Sequence, residues 1–328
     1  MKINRILSYS FVALTGILLA TSVNQVNAST TDTDVSVSQQ TETDDIQNSV
    51  SNDTESANVN SNNDLSNTNS VSTQPNDTQA IQESAETQSD STISTEIVTV
   101  AYKHGAEVHS YNGYGENAIY NGTNLATGTS WIVNEKQKAS DGWWYEVGND
   151  VWLPEKFVVS TNSTDVPSYN WLTGVPLINQ NPELPNGCEI TAVTMMLNYA
   201  GVNVDKMQLA REMPRSSDPN YGYIGQPWDS TGITIFPNAL MNLVEHYTGS
   251  AKDLTGYDIN AIKYQISIGK PVVTWNTLHG FPYHALVITG YDNQYIYYND
   301  CWTNQTAQMD INEFIKNWAT QSNRAISY

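Results

Sequence analysis

Apolar side chains recur at helical spacing between Glu189 and Ala200: Ile190, Val193, Leu197 and one of the Met195/Met196 pair, with Gly201 where a helix C-cap belongs. The same reading predicts helices over Asp205–Met213, Phe236–Tyr247, Tyr257–Ile268 and Asp310–Thr320. Strand-like runs fall at Pro271–Thr277, His284–Gly290 and Tyr295–Asp300, with a terminal strand at Ala325–Tyr328. Helices first and an antiparallel sheet afterwards form an α+β pattern. Between Pro214 and Gly232 the prolines and glycines break every period, which predicts a long irregular loop. Loops of that length inside compact domains are often functional, and Tyr221, Tyr223 and Trp228 give this one the means to wall a cleft.

Upstream the texture differs. From Ile97 to Ser160 short β-prone runs alternate with turn signals at Asn112-Gly113, Asn121-Gly122, Gly128, Asp141-Gly142 and Gly148-Asn149. Regular short strands with glycine turns predict a small all-β barrel. Its many Tyr and Trp residues divide between a tiny core and a possible sugar-stacking face, and the sequence alone does not sort them. Residues 29–95 form a Ser/Thr/Asn/Asp/Gln tract without Lys, Arg, His or aromatic residues. Such a tract cannot bury enough apolar surface to offset its ordering entropy, so it reads as a disordered linker. Residues 1–28 read as an export signal: Lys2 and Arg5, a short apolar core, then Val26-Asn27-Ala28 as a cleavage site. The expected chain is therefore signal 1–28, linker 29–95, β-module 96–162 and a second domain 168–328, secreted or held at a cell surface with no integral membrane span.

Charge narrows the partners. The chain carries 14 basic and 34 acidic residues, a net of −20. Residues 97–328 hold 12 of those basic and 21 of those acidic residues, a net of −9. A polyanion does not track a phosphate backbone, so no nucleic-acid partner is expected. Two cysteines rule out a disulfide framework and a cysteine-only zinc cage. No linear grouping of His, Cys, Asp and Glu shows metal-ligand spacing, so neither metal nor cofactor is expected.

The candidate chemistry centres on Cys188, where the loop Asn186-Gly187 turns into the apolar helix. Partial positive charge at a helix start favours a thiolate. Gln180, eight residues upstream, is a candidate oxyanion donor. His284, ahead of an apolar strand, is the candidate base, and Asp300 would orient it. His279 is also close to that strand and is the alternative base if the assignment slips, but no acid follows it at suitable spacing. Parity makes a sharper demand. His284 and Asp300 share a face of a hairpin only if its turn holds an odd number of residues, as in Asp292-Asn-Gln294, or if one strand bulges. Glu189 complements the helix start, although its charge opposes thiolate formation.

Gln180, the run Asn186-Gly-Cys-Glu189, His284 before a strand ending Gly290-Tyr-Asp292, and Asn299-Asp300 together resemble the C39-like branch of papain-fold cysteine peptidases. The resemblance covers about residues 170–328. It implies a papain-like fold with the thiol-bearing helix packed on an antiparallel sheet. It also implies Cys188 as nucleophile, His284 as base, Asp300 as orienting acid and Gln180 as oxyanion donor. Family members often carry Pro after the Asp; here it is Cys301. Gly128-Thr-Ser-Trp131, Trp143–Gly148 and Val151-Trp-Leu153 resemble bacterial SH3-like modules of S-layer and wall proteins, which implies a cell-wall polymer as partner. The expectation is an exported, monomeric cysteine hydrolase acting on peptide or peptidoglycan-derived substrates. The alternative is a non-catalytic surface adhesin with a structural Cys188–Cys301 disulfide.

Overall fold

The computed structural model describes residues 95–162 and 166–328. The expected signal segment and nearly all of the polar tract lie outside the described residues. Among the described residues no helix is long and apolar enough to cross a membrane.

Eight short strands come first: β1 (Ile97–Val100), β2 (Glu107–Asn112), β3 (Ile119–Ala126), β4 (Ser130–Ile132), β5 (Glu135–Ala139), β6 (Gly142–Gly148), β7 (Val151–Pro154) and β8 (Val158–Ser160). They make two antiparallel sheets, in the orders β4-β1-β8 and β3-β2-β7-β6-β5. Alternation places Val98, Val100, Val108, Trp131, Tyr145, Val147, Leu153 and Val158 in one small core. The aromatics are now sorted. Trp131, Trp144, Tyr145 and Trp152 are buried, whereas Tyr114 and Tyr120 are exposed, Tyr114 beside Trp152 and Tyr120 stacked on His109.

The second half begins with the two-residue strand β9 (Asn170–Trp171) and the helices α1 (Cys188–Tyr199), α2 (Lys206–Glu212) and α3 (Pro237–Thr248). Then come β10 (Lys252–Asp253), α4 (Ile259–Ser267), β11 (Val272–Leu278), β12 (Phe281–Tyr291), β13 (Tyr295–Asp300), β14 (Gln305–Asp310), α5 (Ile311–Ala319) and β15 (Ala325–Ser327). The sheet runs β10-β15-β11-β12-β13-β14, all antiparallel, with β9 added beside the far end of β12. Strand β9 passes so close that a Cβ on Gly290 would stand 2.5 Å from the Trp171 ring.

Helix starts follow the capping rule: the side chains of Asp205, Asp258 and Asp310 accept backbone N–H groups at the starts of α2, α4 and α5. Helix α1 departs from expectation. It is buried on every side from Cys188 to Leu197, Glu189, Thr191 and Thr194 included, because α2 and α3 cover the faces that β11 and β12 do not. Cys188 is its first residue, with Gly187 as N-cap. Strand β14 has no counterpart among the expected elements.

The two halves are joined by polar contacts, some of them buried. Lys252, fully buried, lies 2.9 Å from Glu155, which also pairs with Lys270 at 3.1 Å. The hydroxyls of Tyr145 and Tyr264 meet at 2.6 Å. Tyr102 and Lys103 both reach Glu245 on α3.

Candidate functional site

The loop expected over Pro214–Gly232 is irregular, and it builds the turn that launches α1. Asn186 donates from its backbone N to Pro227 O at 3.0 Å and from Nδ2 to Asp229 O at 2.7 Å, while the buried Tyr223 hydroxyl donates to Asn186 O. A Cβ on Gly232 would lie 2.4 Å from Gln226 O and 2.8 Å from Asn186 Cβ, so only glycine permits this contact. The clamp fixes Gly187 and the first turn of α1, and with it the thiol. The Cys188 N–H has no backbone acceptor among the described residues, as the first turn of a helix requires.

Cys188 and His284 line one cavity of about 200 Å³, together with Gln180, Asn186, Ile233 and Tyr283. Both side chains are almost fully buried. The thiol is directed at Glu189 Oε2, 3.3 Å away, and at Tyr283 O, 4.0 Å away; no sulfur–imidazole hydrogen bond is present among the described residues. Burial, and then the Glu189 charge, push the Cys188 thiol well above the usual range. Burial and the Glu189 charge both favour the thiol over the thiolate.

His284 Nε2 lies 2.9 Å from Asp300 Oδ1, which leaves the other ring nitrogen of His284 outside that bond. Asp300 Oδ1 also accepts the Trp302 N–H at 2.9 Å. Burial pushes the Asp300 carboxyl up, but hydrogen bonding and charge from His284, then the bonds from His279 and Trp302, outweigh it and hold the carboxyl well below its usual range. Phe281 lies alongside His284 at 6.2 Å and meets Trp302 edge-on at 4.8 Å, shielding the pair.

The parity problem is solved by a bulge. The turn is tight, with Asp292 N bonded to Tyr295 O and Tyr291 opposite Ile296, so the three-residue loop is not formed. A register shift between Ile288 and Gly290 leaves one extra residue in β12, after which Leu286 faces Asp300. His284, two residues before Leu286, then shares the face of Asp300.

Gln180 is placed differently from its expected role. It reaches the cavity wall, but its Nε2 donates to Leu184 O at 3.1 Å and Pro185 O at 3.0 Å, and its Oε1 accepts from Cys301 Sγ at 3.2 Å. Both amide hydrogens are spent on the chain's own carbonyls, so Gln180 holds the loop before Cys188 and offers no free donor here. The alternative disulfide is also corrected: Cys188 and Cys301 are both free, and Cys301 points into the core toward Gln180 Oε1 and Cys188 O.

Three neighbours of the site correct the sequence reading or add to it. His279 Nε2 lies 2.6 Å from Asp300 Oδ2. Asn276 stands directly opposite His284 in the β11/β12 ladder with a buried, unpaired Oδ1. Glu189 is not a solvated helix-start charge but a fully buried carboxyl, bonded by Thr234 Oγ1 at 2.6 Å; burial pushes it up to about 7. His279, His284 and Asp300 present ligand-type atoms within 4.8 Å of one another. Tetrahedral ligands about 2.0–2.1 Å from an ion stand roughly 3.3 Å apart. The two N···O separations here are shorter and are those of hydrogen bonds, so the trio reads as a hydrogen-bonded cluster.

A thiol at the start of a buried helix thus shares one cavity with an imidazole–carboxylate pair on an antiparallel sheet. Residues 172–326 match the model of the Peptidase_C39 like family. The chain is 31% identical over 174 residues to the uncharacterized protein YvpB of Bacillus subtilis (strain 168), covering 44% of this chain and 70% of that protein. It belongs to the Peptidase_C39 like family. A crystal structure described as a C39-like peptidase from Bacillus anthracis is 29% identical, over 49% of this chain and 98% of that one, with a TM-score of 0.46.

Proposed function

We propose that this protein is an exported cysteine hydrolase that cleaves amide bonds in peptides or peptidoglycan-derived peptides. The observation that carries the reading is the shared cavity of Cys188 and His284, with His284 held by Asp300. In the reaction the Cys188 thiol turns from Glu189 toward the free ring nitrogen of His284. The imidazole takes the thiol proton as sulfur attacks the acyl carbon, and Asp300 stabilises the imidazolium. In this reading the Cys188 N–H receives the oxyanion. His284 then returns its proton to the leaving amine, giving a thioester. Finally His284 draws a proton from water, hydroxide adds to the thioester, and the acid product leaves with the thiol restored. Gln180 joins the oxyanion site only by releasing one of its two carbonyl partners.

The β-module is the wall-polymer contact of this reading, with Tyr114, Tyr120 and His109 as its exposed aromatic surface. Export rests on the basic and apolar pattern of residues 1–28. The test is mass spectrometry of peptide libraries and wall fragments incubated with protein and with Cys188→Ala. New cleavage products from the unaltered protein alone support the reading; identical product profiles overturn it.

A further inference from the structure

We propose that His279 is a positioning residue for Asp300, and through Asp300 for His284; this rests on the reading of Cys188 and His284 just given. The hairpin between β11 and β12 closes on two residues, His279 and Gly280, with Leu278 paired to Phe281. Both turn residues have positive φ, 55° and 81°. That is the two-residue turn matched to strand twist, and it favours Gly, Asn or Asp at both positions. A histidine there accepts an unfavourable backbone conformation, and the turn folds its ring back over the sheet end. The ring reaches Asp300 Oδ2 at 2.6 Å and stands 5.3 Å from the His284 ring at 74°.

The Asp300 carboxylate is thus clamped between two imidazoles. Oδ1 serves His284 and the Trp302 N–H, while Oδ2 serves His279. Donation from both sides fixes the carboxylate plane, and the plane fixes the tilt of His284 toward the cavity. The two rings differ in access: His284 is buried, whereas the His279 side chain is 30% exposed.

The experiment is the rate of Cys188 alkylation by iodoacetamide against pH, read by peptide mass mapping so that Cys301 is scored separately. It compares the full chain with His279→Gly, His279→Gln and His284→Ala. Glycine suits the turn and removes the ring without strain; glutamine restores a donor that does not titrate. The expected result is a plateau rate about tenfold lower in H279G, recovered to within about threefold in H279Q. Profiles of H279G and H279Q that superimpose on the unaltered protein overturn the proposal. Unchanged alkylation in H284A is a separate failure: it removes His284 as base and takes the role of His279 with it.

Discussion

His284 Nε2 and Asp300 Oδ1 meet at 2.9 Å from diagonal positions of the β12/β13 ladder, and they do so only because β12 carries one residue more than its partner near Thr289. Without that bulge the alternation of side chains would turn Cys301, not Asp300, toward the face of His284. The pairing is a product of strand register as much as of residue type.

Removing the carboxylate tests this pairing. Asp300→Ala should lower kcat/KM by about 10²- to 10³-fold, the scale of losing a well-oriented base. Asp300→Asn keeps an acceptor for His284 and should lose less, about tenfold. Steady-state kinetics on any substrate cleaved in a Cys188-dependent way decides it; equal losses in the two variants would contradict an orienting role.

Glu189 makes stability depend on pH. Its carboxyl is raised by burial to about 7, against about 4.5 in the unfolded chain, so the native state holds a proton that the unfolded state has released. The associated stability is fully present below pH of about 4.5 and is lost as pH rises through about 7. Glu189→Gln removes that loss. The variant should gain up to roughly 3 kcal/mol on the unaltered protein between about pH 4.5 and 8, with a constant offset from its changed hydrogen bonds. Urea unfolding at several pH values checks this, and parallel stability–pH curves would contradict it.

Glu155 joins the two halves. Burial would raise its pKa, but the Lys252 charge, then that of Lys270, outweighs burial and lowers it. Glu155→Gln leaves a fully buried Lys252 without its counter-charge and should cost about 3 kcal/mol, since breaking a buried pair strands the other ion. The fall should appear as a lower Tm in calorimetry. An unchanged Tm would mean that the contact between the halves contributes nothing.

Much of this was legible in the chain itself. The apolar spacing of Ile190, Val193 and Leu197 locates α1, and the Gly187–Cys188 junction locates its start, because helix periodicity and its termination are local properties. The burial of Glu189 was not legible. A carboxylate in the first turn of a helix is ordinarily solvated, and here it is enclosed by Thr234 and Ile235, some 45 residues away. The acid partner of His279 was missed for the same reason: Asp300 is supplied by a strand two elements later. Strand β14 escaped because Gln305–Asp310 is an edge strand, largely polar and largely exposed, with only Met309 buried. Gln180 was assigned by type and order, but an amide's role depends on which acceptors surround it, and here these are Leu184 O and Pro185 O.

The central claim is that one thiol of two is activated by one imidazole. Treating the native protein with an epoxysuccinyl peptide, which captures activated thiols, and mapping the adduct by mass spectrometry tests it most directly. A single adduct on Cys188 is expected, none on Cys301, and at least about a hundredfold slower capture in His284→Ala. Capture at equal rates in that variant, or a Cys188–Cys301 disulfide found in place of the adduct, would contradict it.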